Sequence, residues 1–246
     1  MLRLPRIANF DDFDALQAEP GVGLRYVDST DALGEPHAVI LPGTKSTAAD
    51  LAWLRETGLA GAIVQLARRG ASVVGICGGF QMLGTVIRDP EGVESMGGAV
   101  KGLGLLAGET TFAREKSTHR VRAQILGGPG WLSALAGQVL AGYEIHMGQT
   151  RGDRPWLRLE RENAPGEPSF DGLADQEARI WGCYLHGLFA NDGFRHAWLA
   201  TLGDCRARPA PVSTAVHLQQ SLDRLACTVE ESLNMEELER IIREAR

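Results

Sequence analysis

The strongest constraint on the fold lies in residues 72–83, which read Ser-Val-Val-Gly-Ile-Cys-Gly-Gly-Phe-Gln-Met-Leu. An apolar run ends at a glycine-flanked cysteine, and an amphipathic segment follows at once. That order predicts a strand, a sharp turn and a helix, with a thiol at the turn. Gly75-Ile76-Cys77-Gly78-Gly79 has the spacing of a nucleophile elbow with cysteine in place of serine. Glycines suit such a turn, because strand and helix approach closely and side chains there would clash. The unpaired N–H groups and the dipole of a helix N-terminus favour the thiolate. The bland alternative for Cys77 is a buried, inert side chain. The flanking glycines and the strand–helix context favour the reactive reading.

The flanks extend the pattern. Ala38-Val39-Ile40-Leu41 is a continuous apolar run, as expected of a parallel strand covered on both faces, and it ends at Pro42-Gly43-Thr44-Lys45-Ser46. Residues 47–69 read as helix in two pieces, broken near Gly58. Strand, helix, strand, helix implies an α/β fold with a mostly parallel sheet and right-handed crossovers. Ligands in such sheets bind beyond the carboxyl ends of the strands, where Gly43 and Cys77 both fall. Val22–Val27 alternates like a strand, and Asn9–Leu16 reads as a short capped helix. Residues 88–108 are glycine-rich and read as a loop bordering the site. Short alternating strands are expected at Thr118–Ile125, Val139–Gln149 and Trp156–Arg161, with a loop over Asn163–Asp171. A late strand, Ala178–Leu185, delivers His186, and a helix over Phe194–Leu202 has Asn191 or Asp192 as its cap. Residues 1–203 read as one domain. Residues 204–246 read as a linker containing Pro209 and Pro211, then an amphipathic helical arm with Leu218, Leu222, Leu225 and Val229 on one face.

Composition removes several function classes. At 246 residues, 44% hydrophobic and 23% charged, the chain reads as an ordinary globule. A net charge of −6 with no dense Lys/Arg cluster argues against a nucleic-acid surface. The four cysteines form no CxxC pair and no metal-ligand spacing, so no metal site and a reduced, cytoplasmic protein are expected. No run of about 18 apolar residues is present, and residues 1–6 lack a signal-peptide core, so no membrane partner is expected.

A nucleophilic Cys77 needs a base, and the chain offers six histidines. His186 is best placed, at the end of an apolar strand and before Gly187; His146, within Gly142-Tyr143-Glu144-Ile145-His146-Met147-Gly148, comes second. An oxyanion hole needs two backbone N–H groups aimed at one point. Gly78 would supply one, and Gly43, in the turn after the adjacent strand, the other; a plain strand-to-helix turn is the alternative there. Gln81 lies one helical turn beyond Cys77 on the same face, where it would either bind an amide substrate or be an ordinary helical glutamine. Thr44-Lys45-Ser46-Thr47 is not a P-loop, because Thr44 stands where the second glycine is required.

The Gly75–Gln81 elbow, the Leu41-Pro42-Gly43 turn and Tyr184-Leu185-His186-Gly187 resemble class I (triad-type) glutamine amidotransferase domains. More closely, Leu4-Pro5-Arg6-Ile7-Ala8-Asn9-Phe10-Asp11-Asp12-Phe13-Asp14, Pro42–Thr47, Gly142–Gly148 and Trp181–Phe189 resemble the C-terminal glutaminase part of the cobyric acid synthase family. The resemblance runs over nearly the whole chain. It implies a flavodoxin-like sheet, Cys77 as nucleophile, His186 as acid and base, Gly43 and Gly78 as oxyanion donors, and Gln81 as a substrate ligand. It further implies glutamine as substrate, and an ATP-dependent synthetase domain, in cis or in trans, as partner. No cofactor is expected in this chain; ATP and Mg²⁺ belong to that synthetase domain, which is absent here and would bind the corrinoid acceptor, adenosylcobyrinic acid a,c-diamide. Two alternatives stay open: a glutaminase serving another amidating partner, such as one acting on a cell-wall precursor, and a non-catalytic docking or regulatory homologue. One departure stands out. Many triad-type relatives carry His-Pro-Glu, whereas Gly187-Leu188 follows His186 here. Glu144 is the first candidate to orient the imidazole, with Tyr143 and His146 lining the site or serving a structural network.

Overall fold

The computed structural model describes residues 1–94, 97–162, 166, 168–203 and 213–244. By contact density the chain divides into two units, Met1–Arg208 and Pro209–Arg246. The first begins with a 3₁₀ turn, Phe10–Phe13, followed by the short helices α1 (Asp14–Gln17) and α2 (Thr30–Leu33). Then come β1 (Ala38–Leu41), α3 (Thr47–Glu56), α4 (Leu59–Arg68), β2 (Ser72–Ile76) and α5 (Gly78–Leu83). Next are β3 (Val86–Asp89), β4 (Gly98–Lys101), β5 (Gly108–Ile125), β6 (Val139–Gly152), β7 (Leu157–Arg161) and β8 (Ser169–Asp171). The unit closes with β9 (Leu173–Ala174), β10 (Ile180–Cys183) and α6 (Asp192–Leu199).

The apolar runs form the parallel sheet that their composition predicts. Its order is β1-β2-β10-β9, with β1, β2 and β10 parallel and β9 antiparallel at the edge. Every residue of β2 is buried, as expected of a strand covered on both faces. The crossover from β1 to β2 is broken at Gly58, whose φ of 77° ends α3 and starts α4. Leu51 and Leu54 from α3, and Leu59, Ile63 and Leu66 from α4, are buried in the core. On the far side of β10, Trp181 packs edge-on against Trp131, Trp156, Phe194 and Trp198. Beside this cluster a buried ion pair, Arg195 Nε to Glu19 Oε2 at 2.8 Å, ties α6 to the N-terminal segment.

A second sheet runs β4-β3-β5-β7-β8, with β6 paired along β5. Its strands are longer than the short ones expected: β5 spans 18 residues and β6 spans 14. The exposed polar stretch Arg114-Glu115-Lys116 hides the start of β5 from an alternation rule, and a register shift between Phe112 and Ser117 falls there. The glycine-rich stretch expected as loop contains β4 and the end of β3. Val22–Val27 is not a strand; only Val27 pairs, in an isolated bridge with Leu2. Asn191 precedes α6 without capping it, because its Oδ1 instead accepts from the Ala141 N–H at 3.0 Å. The two sheets meet at an isolated bridge between Tyr143 of β6 and His186, just past β10.

The second unit contains two helices, α7 (Thr214–Ser232) and α8 (Met235–Glu244). Ser213 caps α7 by accepting from the Val216 N–H. Leu218, Leu222, Leu225 and Val229 are exposed along α7. The expected linker through Pro209 and Pro211, and Asn163–Pro165 of the expected loop, lie outside the described residues. Among the described residues no helix is long and apolar enough to cross a membrane.

Candidate active site

Cys77 sits between β2 and α5 with φ 52° and ψ −112°, a left-handed backbone that non-glycine residues adopt only when their surroundings enforce it. The surroundings are glycines. A β-carbon on Gly79 would stand 1.9 Å from the Leu41 carbonyl oxygen, and one on Gly75 would stand 2.7 Å from the Gly79 backbone. The elbow therefore closes only because these positions lack side chains. The Cys77 N–H is tied to the Cys183 carbonyl at 2.9 Å, and its thiol faces the Ile145 carbonyl at 3.6 Å. That places the sulfur between the parallel sheet and the β5–β6 hairpin.

His186 follows β10 and is 1% exposed. Its Nδ1 lies 2.6 Å from Asp12 Oδ2, and Asp12 Oδ1 accepts from the Gly187 N–H at 2.8 Å. The Tyr143 ring stacks on the imidazole at 5.0 Å between centroids, and the Tyr143 hydroxyl accepts from Asn9 Nδ2 at 2.8 Å. Nε2 is buried and has no hydrogen-bond partner at full geometry among the described residues. Burial works to discharge the ring, but Asp12 and the adjacent Cys77 outweigh it and raise the His186 pKa to about 10.

Gly43 and Gly78 both adjoin Cys77. A β-carbon on Gly43 would come within 3.2 Å of His186 Cε1 and 3.8 Å of Cys77 Cβ; one on Gly78 would meet the Thr44 methyl at 2.6 Å. Gly78 is the first residue of α5, so its N–H has no intrahelical acceptor. Neither N–H makes a backbone hydrogen bond among the described residues. Gln81 also reaches the site, but its amide is already held: Oε1 accepts from Thr47 Oγ1 at 2.7 Å, and Nε2 donates to the Tyr184 hydroxyl at 3.2 Å. It forms a fixed wall and keeps one Nε2 hydrogen to offer.

Glu144 does not orient His186. Successive strand side chains point to opposite faces. Tyr143 faces His186, so Glu144 turns the other way. There it accepts from Ser117 Oγ at 2.9 Å and from Arg161, and it lies 3.3 Å from His146 Nε2. Burial opposes its charge, but the hydrogen bonds from His146, Arg161 and Ser117 win and hold its pKa near 2. His146 lies on the same face, stacked on Tyr184 at 3.9 Å, with Nδ1 2.7 Å from the Gly148 carbonyl. Glu144 and His146 thus form a network beside the site.

Cys77, Gly43, Gly78 and Gln81 line one cavity of about 370 Å³ together with Asn9, Lys45, Thr47, Glu94, Lys116 and His146. Glu94 is held against the start of α3 by the Thr47 N–H at 2.7 Å, and burial raises its pKa. A larger cavity of about 620 Å³, bordered by His37, Arg69, Trp131 and Arg179, has no cysteine in its lining. The Pro42–Thr47 turn offers no phosphate cradle: Thr44 Oγ1 lies 2.5 Å from the buried Asp50 carboxylate, which would repel an anion. Sequence reasoning missed Asp12, Asn9, Glu94 and Lys116. Asp12 and Asn9 fall in the Leu4–Asp14 stretch, where the local pattern reads only as a short capped helix. Glu94 and Lys116 carry no local signal; one sits in a glycine-rich loop and the other at an exposed irregularity of β5.

A strained cysteine elbow, a buried carboxylate-paired histidine and two free glycine N–H groups, all at the carboxyl edge of a parallel sheet, define an α/β domain of the amidotransferase class. Comparison with known proteins agrees. The chain belongs to the CobB/CobQ-like glutamine amidotransferase domain family, whose pattern matches residues 1–194. It is 44% identical over 247 residues to cobyric acid synthase of Moorella thermoacetica, covering 98% of this chain and 48% of that protein. It is 50% identical over 206 residues to cobyric acid synthase of Roseiflexus castenholzii, covering 82% of this chain and 40% of that protein. The chain therefore spans about half the length of the curated relatives it matches. Among solved structures, PurLQS from Thermotoga maritima superposes with a TM-score of 0.59 at 19% identity, covering 82% of this chain and 96% of that one. A crystal structure of a glutamine amidotransferase superposes with a TM-score of 0.53 at 17% identity, covering 80% and 94%. At those identities the likeness speaks for the fold.

Proposed function

We propose that this chain is the glutaminase component of a cobyric acid synthase, releasing ammonia from glutamine for amide formation on a corrinoid. The observation that carries the reading is the convergence of Cys77, Gly43 and Gly78 on a cavity that also holds one carboxylate and two lysines, with His186 against the Gly43 turn. Glutamine's α-ammonium pairs with Glu94, and its α-carboxylate with Lys45 or Lys116, leaving the side-chain amide at the thiol. Cys77 Sγ attacks the amide carbon, and the N–H groups of Gly43 and Gly78 hold the oxyanion. His186 takes the thiol proton and passes it to the leaving nitrogen, so ammonia departs and a γ-glutamyl thioester remains. The imidazole then takes a proton from water, whose oxygen attacks the thioester, and glutamate leaves with the thiol restored.

The ammonia would go to an ATP-dependent synthetase half, in cis or in trans. The relatives that carry the name cobyric acid synthase are about twice as long as this chain, which supports such a partner. ATP and Mg²⁺ would act in that half, activating carboxylates of adenosylcobyrinic acid a,c-diamide. The test supplies the synthetase half, ATP, Mg²⁺ and the corrinoid, with either glutamine or ammonium as nitrogen donor. Cys77→Ala should abolish amidation from glutamine and leave amidation from ammonium intact. Glutamine-driven amidation that survives the substitution would refute the assignment.

A further inference from the structure

We infer that Asp12 is a positioning residue for this chemistry, setting which nitrogen of His186 carries the proton and aiming the other at Cys77. The inference deepens the glutaminase reading and rests on it for its rate measurement alone.

The position that usually supplies an acidic partner is empty of one, because Gly187-Leu188 follows His186. The structure supplies a carboxylate from 174 residues earlier in the chain. Asp12 and His186 side chains are 3% and 1% exposed, so solvent does not compete for their contact. The carboxylate is held in place. Its Oδ1 is occupied by the Gly187 N–H, the residue beside the histidine, which leaves Oδ2 to face the ring. Tyr143 packs on the imidazole plane and removes its freedom to tilt.

The protonation consequence follows from donor chemistry. A carboxylate accepts and does not donate, so His186 Nδ1 carries a hydrogen. In the neutral ring Nε2 is then the bare nitrogen, the one required to take the Cys77 proton. Once it has, the imidazolium lies against a buried anion. The charged and titratable groups facing the ring are Asp12 from the N-terminal turn, Cys77 from the elbow and Tyr143 from β6.

Replacing Asp12 with asparagine keeps the shape and reverses this logic. The Gly187 N–H needs an acceptor, so the amide oxygen stays there and the NH₂ turns to the ring. Nδ1 must then accept, the proton moves to Nε2, and the ring can no longer take the thiol proton. In a serine protease triad, the equivalent Asp-to-Asn change costs about 10⁴-fold in kcat through the wrong tautomer. Here Asp12→Asn should lower kcat for glutamine hydrolysis by about 10²–10⁴-fold, with KM changed less than about threefold.

The test uses the full chain and three readouts. The first is steady-state glutamine hydrolysis by wild type, Asp12→Asn, Asp12→Glu and the exposed neighbour control Asp11→Asn. The second is alkylation of Cys77 by a chloroketone analogue of glutamine. The third is an NMR titration of His186 in ¹⁵N-histidine protein. Asp12→Asn should slow hydrolysis and alkylation and move His186 titration down toward its ordinary value. Asp12→Glu should recover part of the rate, and Asp11→Asn should match wild type. Unchanged kcat and an unchanged titration in Asp12→Asn would overturn the inference. If that variant does not fold, wild type decides: ¹⁵N shifts that show His186 Nδ1 protonated throughout its titration support the inference, and a ring with a bare Nδ1 refutes it. Wild type that neither hydrolyses glutamine nor reacts with the chloroketone would sink the glutaminase reading, while the titration still judges Asp12.

Discussion

The thiol of Cys77 is presented by a backbone that its own side chain disfavours. Both Cys77→Ala and Cys77→Gly remove the thiol, but only glycine relieves a φ of 52°. The glycine variant should be the more stable of the two by about 1 kcal/mol, read from urea midpoints. Glu94 makes the complementary case for binding. If it pairs with the α-ammonium of glutamine, Glu94→Gln should raise KM about tenfold or more with kcat nearly unchanged; a fall in kcat at constant KM would remove it from the binding role. At this scale the sequence was uneven. Cys77 and Gly78 were legible because the elbow is local. Asp12 was not, because its partner His186 lies 174 residues away and no spacing rule spans that distance.

Elements decide which way these side chains point. The alternation along β6 sends Tyr143 to the imidazole and Glu144 to Arg161 and Ser117, and this corrects the first candidate for orienting His186. Glu144 has a consequence of its own. Its pKa is near 2 in the fold against an ordinary 4.5. Its contribution is therefore full above about pH 4.5 and is lost as pH falls toward 2. Between pH 6 and pH 3, wild type should lose about 1–3 kcal/mol more than Glu144→Gln does, measured by denaturant midpoints at both pH values. The β2–α5 elbow tests packing more sharply. Gly79→Ala places a β-carbon 1.9 Å from the Leu41 carbonyl oxygen, so backbone must shift. A loss of about 3 kcal/mol or more, or no folded protein, is expected from thermal unfolding. The β1 and β2 runs were readable because buried parallel strands are continuously apolar. The full length of β5 was not, because its exposed polar middle breaks the alternation.

For the whole molecule, the buried core lies within Met1–Arg208. A chain ending at Arg208 should unfold cooperatively and keep Cys77 reactive toward a glutamine chloroketone, measured by calorimetry and mass spectrometry. Loss of the folded state would show that the second unit is needed for the first. The site itself belongs to three distant parts of the chain. The Leu4–Asp14 segment brings Asn9 and Asp12, the parallel sheet brings Cys77 and His186, and the β5–β6 hairpin brings Tyr143.

The amino-acid sequence by itself determined the parallel strands, the glycine elbow with its cysteine, the histidine at the end of β10 and the family resemblance. Each of these is written in local composition or in a short contiguous motif. Tertiary structure alone decided that Asp12 holds His186, that Glu144 faces away, and that Glu94 and Lys116 share the cavity of Cys77. The reason is physical: a carboxylate's partner depends on which buried atoms surround it, and those atoms meet only when distant segments pack.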